Sequence, residues 1–219
     1  MPARTFSIRF ATIALALAAL LRPVAPAAAA PAAKAGAHHT ETAVFAGGCF
    51  WSMESQFDDV PGVKAVVSGY TGGHKPKPTY EEVCTETTGH LESIQVTFDP
   101  AVITYAQLLD RFWHGIDPTQ DDGQLYDVGE SYRTAIFVNG AGQRREAEAS
   151  KAALERSHVL KAPIVTRILD GGPFWPAEAY HQAYWKKNPE RYFAYRAGSG
   201  RDRRLQQLWG AAAVRPVGH

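Results

Sequence analysis

The order of the apolar segments constrains the fold more than any other feature of this 219-residue chain. Some segments repeat apolar side chains every second residue, as strands do, and others every third or fourth residue, as helices do. The segments follow one another as strand, helix, strand, strand, helix, strand, over residues 42–46, 50–57, 63–70, 91–98, 105–112 and 132–138. This order predicts an α+β fold of the ferredoxin-like, split β-α-β type, a two-layer sandwich with a mixed sheet.

Further elements are expected on the carboxyl side of this unit. A polar helix is predicted over residues 143–157, a strand over 164–169 and a short helix around 177–185. From residue 198 to residue 219 the chain is rich in Gly, Ala and Arg, which predicts a loose surface tail. We therefore expect one folded domain over residues 41–197, since no internal repeat is visible.

The first 30 residues have the pattern of a secretory signal peptide. Arg4 and Arg9 precede an apolar stretch over residues 10–21, and alanines occupy residues 27–30. The apolar stretch has roughly 12 residues, short of the ~20 that a membrane-spanning helix needs. We expect export to the periplasm or the medium, a flexible leader over residues 31–40 and no stable membrane insertion, with an uncleaved anchor as the alternative.

Charge and cysteine content exclude several classes of function. Lys and Arg number 23 and Asp and Glu 22, so there is no basic excess for binding nucleic acid. Two cysteines cannot build a disulfide-rich scaffold or a four-cysteine metal site. The pair His90-x-Glu92 lacks the Pro-Cys-x-x-Cys that a zinc deaminase requires, so no metal is expected.

Cys49 occupies a position that favours chemistry on sulfur. It follows Gly47 and Gly48, which permit a sharp turn, and it directly precedes the predicted helix over residues 50–57. The unpaired N–H groups and the dipole at a helix start favour the thiolate, the nucleophilic form of cysteine. A helix end supplies only ~0.3–1 kcal/mol, whereas ionisation at neutral pH needs about 2.7 kcal/mol. The alternative is a small buried apolar side chain.

Glu92 has the same alternation parity as three apolar residues of its predicted strand, Ile94, Val96 and Phe98. This parity turns the carboxyl toward the buried face, where desolvation raises its pKa and makes it a candidate general acid. The alternative is a solvated carboxylate at a frayed strand end. If Glu92 and Cys49 share a cleft, two anions repel and one shared proton is the favoured state.

Two other classes of function stay open at this point. A cysteine hydrolase or acyltransferase needs a histidine base beside Cys49, and sequence does not choose among the candidates His74, His90, His114, His158 and His181. A non-catalytic module that holds methionine side chains in an aromatic pocket is the second.

A series of short motifs runs through residues 43–192. They are Gly47-Gly48-Cys49-Phe50-Trp51 followed by Glu54, Gly69-Tyr70-x-Gly72-Gly73, Pro78-x-Tyr80-x-x-Val83, Thr88-Gly89-His90-x-Glu92, Phe98-Asp99-Pro100, Asp117-Pro118-Thr119, Asp127-x-Gly129-x-x-Tyr132-Arg133, and Ala177-Glu178-x-Tyr180-His181-Gln182-x-Tyr184. In order and spacing this series resembles the peptide methionine sulfoxide reductase A family, whose members reduce methionine-S-sulfoxide, free or in proteins, without metal or organic cofactor.

The resemblance implies a role for each matching residue. Cys49 attacks the sulfoxide sulfur, and Glu92 donates a proton to the oxygen. The remaining site residues are the hydroxyls of Tyr80 and Tyr132 as helpers, Asp127 as an ordering group, and Phe50 and Trp51 as the pocket for the substrate methyl group. Methionine leaves, and Cys49 becomes a sulfenic acid that a thiol must reduce.

The chain departs from the family pattern where the oxidised cysteine is recycled. Many members carry a second cysteine in the carboxyl-terminal tail, and this tail has none, with Phe193 at one such position. We interpret Cys84 as structural. The expected reductant is therefore an external thiol, such as an exported thioredoxin-like protein, acting on a monomer. The other departures remove no catalytic group; they are Ser52, Glu86 and Ile116.

Overall fold

A computed structural model of the chain describes residues 39–215. The predicted signal peptide and all but the last two residues of the predicted leader lie outside these residues. From residue 39 to residue 215, no helix is both long enough and apolar enough to cross a bilayer.

Eight strands and seven helices follow one another along this part of the chain. The strands are β1 Glu41–Gly47, β2 Val63–Thr71, β3 Leu91–Phe98, β4 Gly123–Gln124, β5 Asp127–Val128, β6 Thr134–Val138, β7 Arg167–Asp170 and β8 Trp175–Pro176. The helices are α1 Phe50–Phe57, α2 Tyr80–Val83, α3 Tyr105–His114, α4 Gly140–Ser157, α5 Tyr184–Lys187, α6 Pro189–Gly198 and α7 Arg201–Trp209. A short 3-10 helix, Glu130–Tyr132, precedes β6.

Six of the strands form one mixed sheet in the order β7-β6-β1-β3-β2-β8. All neighbours are antiparallel except β6 and β7, which run parallel. The strands β4 and β5 make a separate hairpin. The expectation of an α+β fold with a mixed sheet is therefore confirmed.

The main core lies between one face of this sheet and the helices α1, α3 and α4. Phe45 of β1 stacks on Phe57 of α1 at a ring-centroid distance of 5.5 Å and on Phe112 of α3 at 5.0 Å. Thr104 begins α3 through a capping box with Gln107, because each side chain accepts a hydrogen bond from the other's backbone N–H. The ring contacts of Phe45 thus place α1 and α3 directly against the sheet.

The carboxyl-terminal third differs from the sequence prediction. The strand expected over residues 164–169 is shorter and later, and turns followed by α5 replace the helix expected over 177–185. The prediction of a loose tail from residue 198 is wrong for the described residues, since α7 buries Arg201, Leu205 and Trp209. Trp209 donates its indole N–H to the carbonyl of Ile116 at 2.9 Å. Composition did not predict α7, because its buried Arg201 and Trp209 hydrogen-bond to backbone carbonyls that are far away in the sequence.

Candidate active site

Cys49 lies at the break between β1 and α1, where its carbonyl accepts the first hydrogen bonds of the helix from Ser52 and Met53. The preceding Gly48 has a φ of 84°, a left-handed conformation that favours glycine. A Cβ at Gly48 would lie 2.6 Å from the side chain of Gln124, so glycine is also required for space. The two glycines thus bring the Cys49 side chain into the interior, where it is 7% exposed.

The Glu92 carboxylate lies beside the same helix start. The backbone N–H of Phe50 donates a hydrogen bond of 2.9 Å to Glu92 Oε2, and the side chain is 2% exposed. Burial raises the pKa of Glu92 to about 8, against the lowering effect of the Phe50 N–H and with a further increase from Asp127. The carboxyl therefore holds its proton at neutral pH, as the alternation of β3 predicts.

The Cys49 thiol is not a resting thiolate. Burial raises its pKa, and the negative charges of Glu92 and Asp127 raise it further. The Tyr195 hydroxyl and the Trp51 backbone N–H lower the pKa of the thiol, but their effects are weaker. The sequence argument counted the helix start in favour of the thiolate, but desolvation and two neighbouring carboxyls outweigh it. One proton held by a coupled pair is the state this arrangement favours.

Two tyrosine hydroxyls face the same pair. Tyr80 begins α2 and Tyr132 ends the 3-10 helix, and burial followed by the charge of Glu92 raises the pKa of both. Both hydroxyls therefore stay protonated and able to donate. The turn that carries Tyr132 is held by Glu86, which accepts hydrogen bonds from the N–H and the hydroxyl of Ser131, each at 2.8 Å.

Asp127 and Tyr195 complete the polar side of the site. The Tyr195 hydroxyl donates a hydrogen bond of 2.6 Å to Asp127 Oδ2. Burial raises the pKa of Asp127, partly offset by this bond and by the charge of Arg201. Sequence reasoning missed Tyr195, because only the packing of α6 brings it to Cys49. Its three-residue spacing from Tyr192 was the only local signal.

The apolar side of the site consists of Phe50, Trp51 and their neighbours. Trp51 stacks on Tyr184 at 3.8 Å with an interplanar angle of 7°. Its indole N–H donates to His181 Nδ1 at 3.1 Å. The His181 ring lies 4.9 Å from the Phe50 ring and 4.4 Å from the Tyr80 ring. These contacts hold two aromatic side chains beside the thiol as a rigid apolar wall.

No histidine serves as a base for Cys49 in the described residues. The groups that lower the pKa of its thiol are the Tyr195 hydroxyl and the Trp51 N–H. Among the candidates from the sequence, His181 lies beside Phe50 and Trp51, and its Nδ1 accepts from Trp51 while burial lowers its pKa. A cysteine hydrolase therefore lacks its activating group here.

Two further observations concern metal binding and a groove that is separate from this site. Between residues 39 and 215 no group of three His, Cys, Asp or Glu side chains is arranged to hold a metal ion. An apolar groove of about 540 Å³ between α3 and α4, lined by Trp113, Leu154 and Trp209 among others, contains none of the predicted site residues.

Comparison with known proteins gives the same family in sequence and in structure. The peptide methionine sulfoxide reductase family model matches residues 41–213. Peptide methionine sulfoxide reductase MsrA of Bacillus licheniformis is 59% identical over 174 residues, covering 80% of this chain and 96% of that protein. The Bacillus subtilis protein of the same name is 56% identical over 171 residues, covering 78% and 97%.

Solved structures agree. Methionine sulfoxide reductase A of Corynebacterium diphtheriae superposes with a TM-score of 0.61 at 35% identity, covering 70% of this chain and 77% of that one. Mxr1 of Saccharomyces cerevisiae in its reduced form superposes with a TM-score of 0.65 at 30% identity, covering 69% and 87%.

Proposed function

The chain belongs to the peptide methionine sulfoxide reductase family, and from this premise we propose that Cys49 is its nucleophile and Glu92 its proton donor. It is a peptide-methionine (S)-S-oxide reductase, which reduces methionine-S-sulfoxide to methionine at the expense of thiols. The observation that carries the two roles is the 2.9 Å hydrogen bond from Phe50 N–H to Glu92, which places the carboxyl at the start of the helix that Cys49 begins.

The reaction balances with these two groups alone. The sulfur of Cys49 attacks the sulfoxide sulfur while Glu92 gives its proton to the sulfoxide oxygen, and the thiol proton that Cys49 loses restores Glu92. The oxygen moves to Cys49 with one proton, and methionine leaves as the sulfide. Two electrons thus pass from the Cys49 sulfur to the substrate, and Cys49 becomes a sulfenic acid.

The surrounding side chains orient the sulfoxide. The protonated hydroxyls of Tyr80 and Tyr132 face Glu92 and suit hydrogen bonds to the sulfoxide oxygen. Phe50 and Trp51 form an apolar wall for the methyl group of the substrate. Asp127 orders the site through the Tyr195 hydroxyl.

Recycling in this proposal uses an external thiol protein of the thioredoxin type. The chain has only two cysteines; Cys84 is exposed at the end of α2 and Cys49 is buried. The sulfenic acid and two external thiol groups give the Cys49 thiol, one disulfide of the reductant and water. The test is one equivalent of substrate without reductant. Wild type and Cys84→Ser should both retain a sulfenic acid; an internal disulfide in wild type alone would show that Cys84 takes part.

The nucleophile is tested by assaying both sulfoxide epimers with dithiothreitol. Wild type should reduce the S epimer, and Cys49→Ser should lose the activity while keeping its circular dichroism spectrum. Equal, undetectable turnover in both proteins with retained sulfoxide binding would instead favour a non-catalytic methionine-binding module. Activity retained in Cys49→Ser would refute the nucleophile assignment.

The cellular setting is part of the same proposal. The signal pattern in residues 1–30 supports export, and with it repair of oxidised proteins in the periplasm or the medium; the proposal takes the protein to act as a monomer. Cell fractionation with sequencing of the mature amino terminus tests export, and sedimentation tests the oligomeric state. A full-length chain retained in the cytoplasm would contradict export.

We also propose a finer description of the fold. The four central strands stand in the order β6-β1-β3-β2, all antiparallel, with α1 joining β1 to β2 and α3 lying between β3 and β6. This arrangement supports a ferredoxin-like split β-α-β unit extended by later elements. A solved structure with a different order of these four strands would overturn it.

A further inference from the structure

Arg201 is a fully buried cation behind the candidate nucleophile. It is 0% exposed at the start of α7. Its guanidinium donates to the carbonyl of Gly47 at 3.1 Å and to the carbonyl of Gly115 at 3.2 Å, and its Nε has no hydrogen-bond partner in the described residues. A Cβ at Gly48 would lie 2.7 Å from its Nη2, so the charged group rests against the residue that precedes Cys49.

A second buried arginine in the same segment shows a different arrangement. Arg196 is 1% exposed, but it pairs with Asp202 through Nε at 2.9 Å and Nη2 at 2.7 Å and donates to the Tyr192 hydroxyl. Arg201 has no such carboxylate in contact anywhere between residues 39 and 215. A buried charge without an ion-pair partner costs free energy. The unpaired charge therefore points to a role for the electrostatic field of Arg201 in the neighbouring site.

The two groups whose pKa values the Arg201 charge affects, Asp127 and Tyr195, both act on the Cys49 thiol. The charge of Arg201 lowers the pKa of Asp127 and of Tyr195, each against the raising effect of burial. Tyr195 donates its hydroxyl proton to Asp127, and the same hydroxyl lowers the pKa of the Cys49 thiol. A positive charge at this depth therefore offsets part of the repulsion that Asp127 exerts on a forming thiolate.

We propose that Arg201 is a positioning residue of the reductase, whose guanidinium holds the Gly47–Gly48 turn and supplies the positive charge that makes ionisation of Cys49 accessible. This inference rests on the proposed role of Cys49 as nucleophile. It also gives the carboxyl-terminal helices a role in a chain whose tail has no cysteine.

Several titratable groups act on the Cys49 thiol from the elements around it. They are Glu92 from β3, Asp127 from β5, Tyr195 from α6, Tyr80 from α2 and Tyr132 from the 3-10 helix. The two carboxyls raise the thiol pKa, and the Tyr195 hydroxyl lowers it. Removal of the Arg201 charge leaves the Asp127 carboxyl less compensated, so the thiol pKa should rise.

The experiment measures the pH dependence of iodoacetamide alkylation in the full chain with Cys84→Ser, so that Cys49 is the only thiol. Arg201→Gln removes the charge and keeps a hydrogen-bond donor, whereas Arg201→Lys keeps the charge and removes the planar fork. Arg196→Gln is the matched control, a buried arginine of the same segment that is already paired.

The pH midpoint of alkylation should be about one unit higher in Arg201→Gln than in the protein with Arg201. Below the midpoint, alkylation should therefore be about tenfold slower. Arg201→Lys should restore most of this shift, and Arg196→Gln should leave the midpoint in place even where it lowers the melting temperature. An unshifted midpoint in a folded Arg201→Gln overturns the proposal. If that variant does not fold, an upward shift of a full unit in folded Arg201→Lys overturns it. This experiment measures the reactivity of the Cys49 thiol and not the enzyme activity. The proposed function is tested separately, because it would be refuted by sulfoxide reduction that persists in Cys49→Ser.

Discussion

The carboxylate of Glu92 accepts a hydrogen bond from the backbone N–H of Phe50, the first residue of the helix that Cys49 begins. A donor at a helix start ordinarily lowers the pKa of a carboxyl. Here burial outweighs that donor, and the pKa of Glu92 is raised to about 8. The same bond thus positions the carboxyl without ionising it, which is the condition for proton donation at neutral pH.

The first prediction concerns the pH profile of the reaction. Glu92 is protonated below about pH 8, so the wild-type rate should fall as pH rises through that value. Glu92→Gln keeps the shape of the side chain and removes the proton, so kcat/KM at pH 7 should fall about 100-fold or more and the limb near pH 8 should disappear. The control is Glu81→Gln, an exposed carboxylate at α2. A persisting limb in Glu92→Gln would assign it to another group.

The second prediction concerns Tyr195. Tyr195→Phe removes the hydroxyl that donates to Asp127 and lowers the pKa of the Cys49 thiol, so kcat should fall about 10- to 100-fold with little change in KM. Tyr192→Phe is the control, because its hydroxyl bonds Ser55 and Arg196 instead. Steady-state kinetics and thermal unfolding separate the two variants. Equal losses of kcat in both would mean that α6 acts only through its packing.

The third prediction concerns the apolar wall. Trp51→Leu removes the stack on Tyr184 and the donor to His181, so a methyl group loses one side of its pocket. KM for a methionine sulfoxide peptide should rise about tenfold, which corresponds to about 1.4 kcal/mol of lost binding free energy. Trp113→Leu, in the groove between α3 and α4 that contains no site residue, should change stability and leave KM in place. A fall in kcat alone in Trp51→Leu would place the effect on chemistry rather than binding.

The fourth prediction concerns stability and pH at Glu54. Burial raises the pKa of this carboxyl to about 7, against the hydrogen bond from the Ala183 N–H. The folded state therefore binds more protons than the unfolded chain between about pH 4.5 and 7, and stability falls across that interval as pH rises. Glu54→Gln removes this cost and should be more stable than wild type at pH 8 by on the order of 3 kcal/mol, with little difference at pH 4.

Urea unfolding at pH 4 and pH 8 measures that difference. The control is Glu155→Gln, an exposed residue of α4, which should give the same difference from wild type at both pH values. A Glu54→Gln variant that loses stability relative to wild type between pH 4 and pH 8 would contradict the expected direction of the effect.

Local periodicity accounts for the parts of the site that were predictable. The alternation in β3 points Glu92 to the same face as Ile94, and the observed burial agrees. The glycine pair before Cys49 predicts the break between strand and helix, because only glycine readily takes the φ of Gly48. Both features depend on neighbours a few residues away, which the sequence displays directly.

The remaining parts depend on contacts between distant segments. Arg201 lies in the stretch from residue 198 whose composition predicts a loose tail, and it donates instead to the carbonyls of Gly47 and Gly115. Tyr195 lies just before that stretch, and its partner is the distant Asp127. The ionisation state of Cys49 also depends on contacts between distant segments. A helix start favours the thiolate, but the depth of burial and the nearby carboxyls reverse the direction of the pKa shift.

The amino-acid sequence by itself determined the order of the core strands and helices, the position of the Cys49 sulfur at a helix start and the side of the strand on which the Glu92 carboxyl lies. Those properties follow from backbone conformation and side-chain spacing over single turns and strands. Only the tertiary structure decided how strongly each group holds its proton and which carboxyl-terminal residues act on it. Electrostatic interactions are set by burial and by distances through space, and neither can be read from positions along a chain.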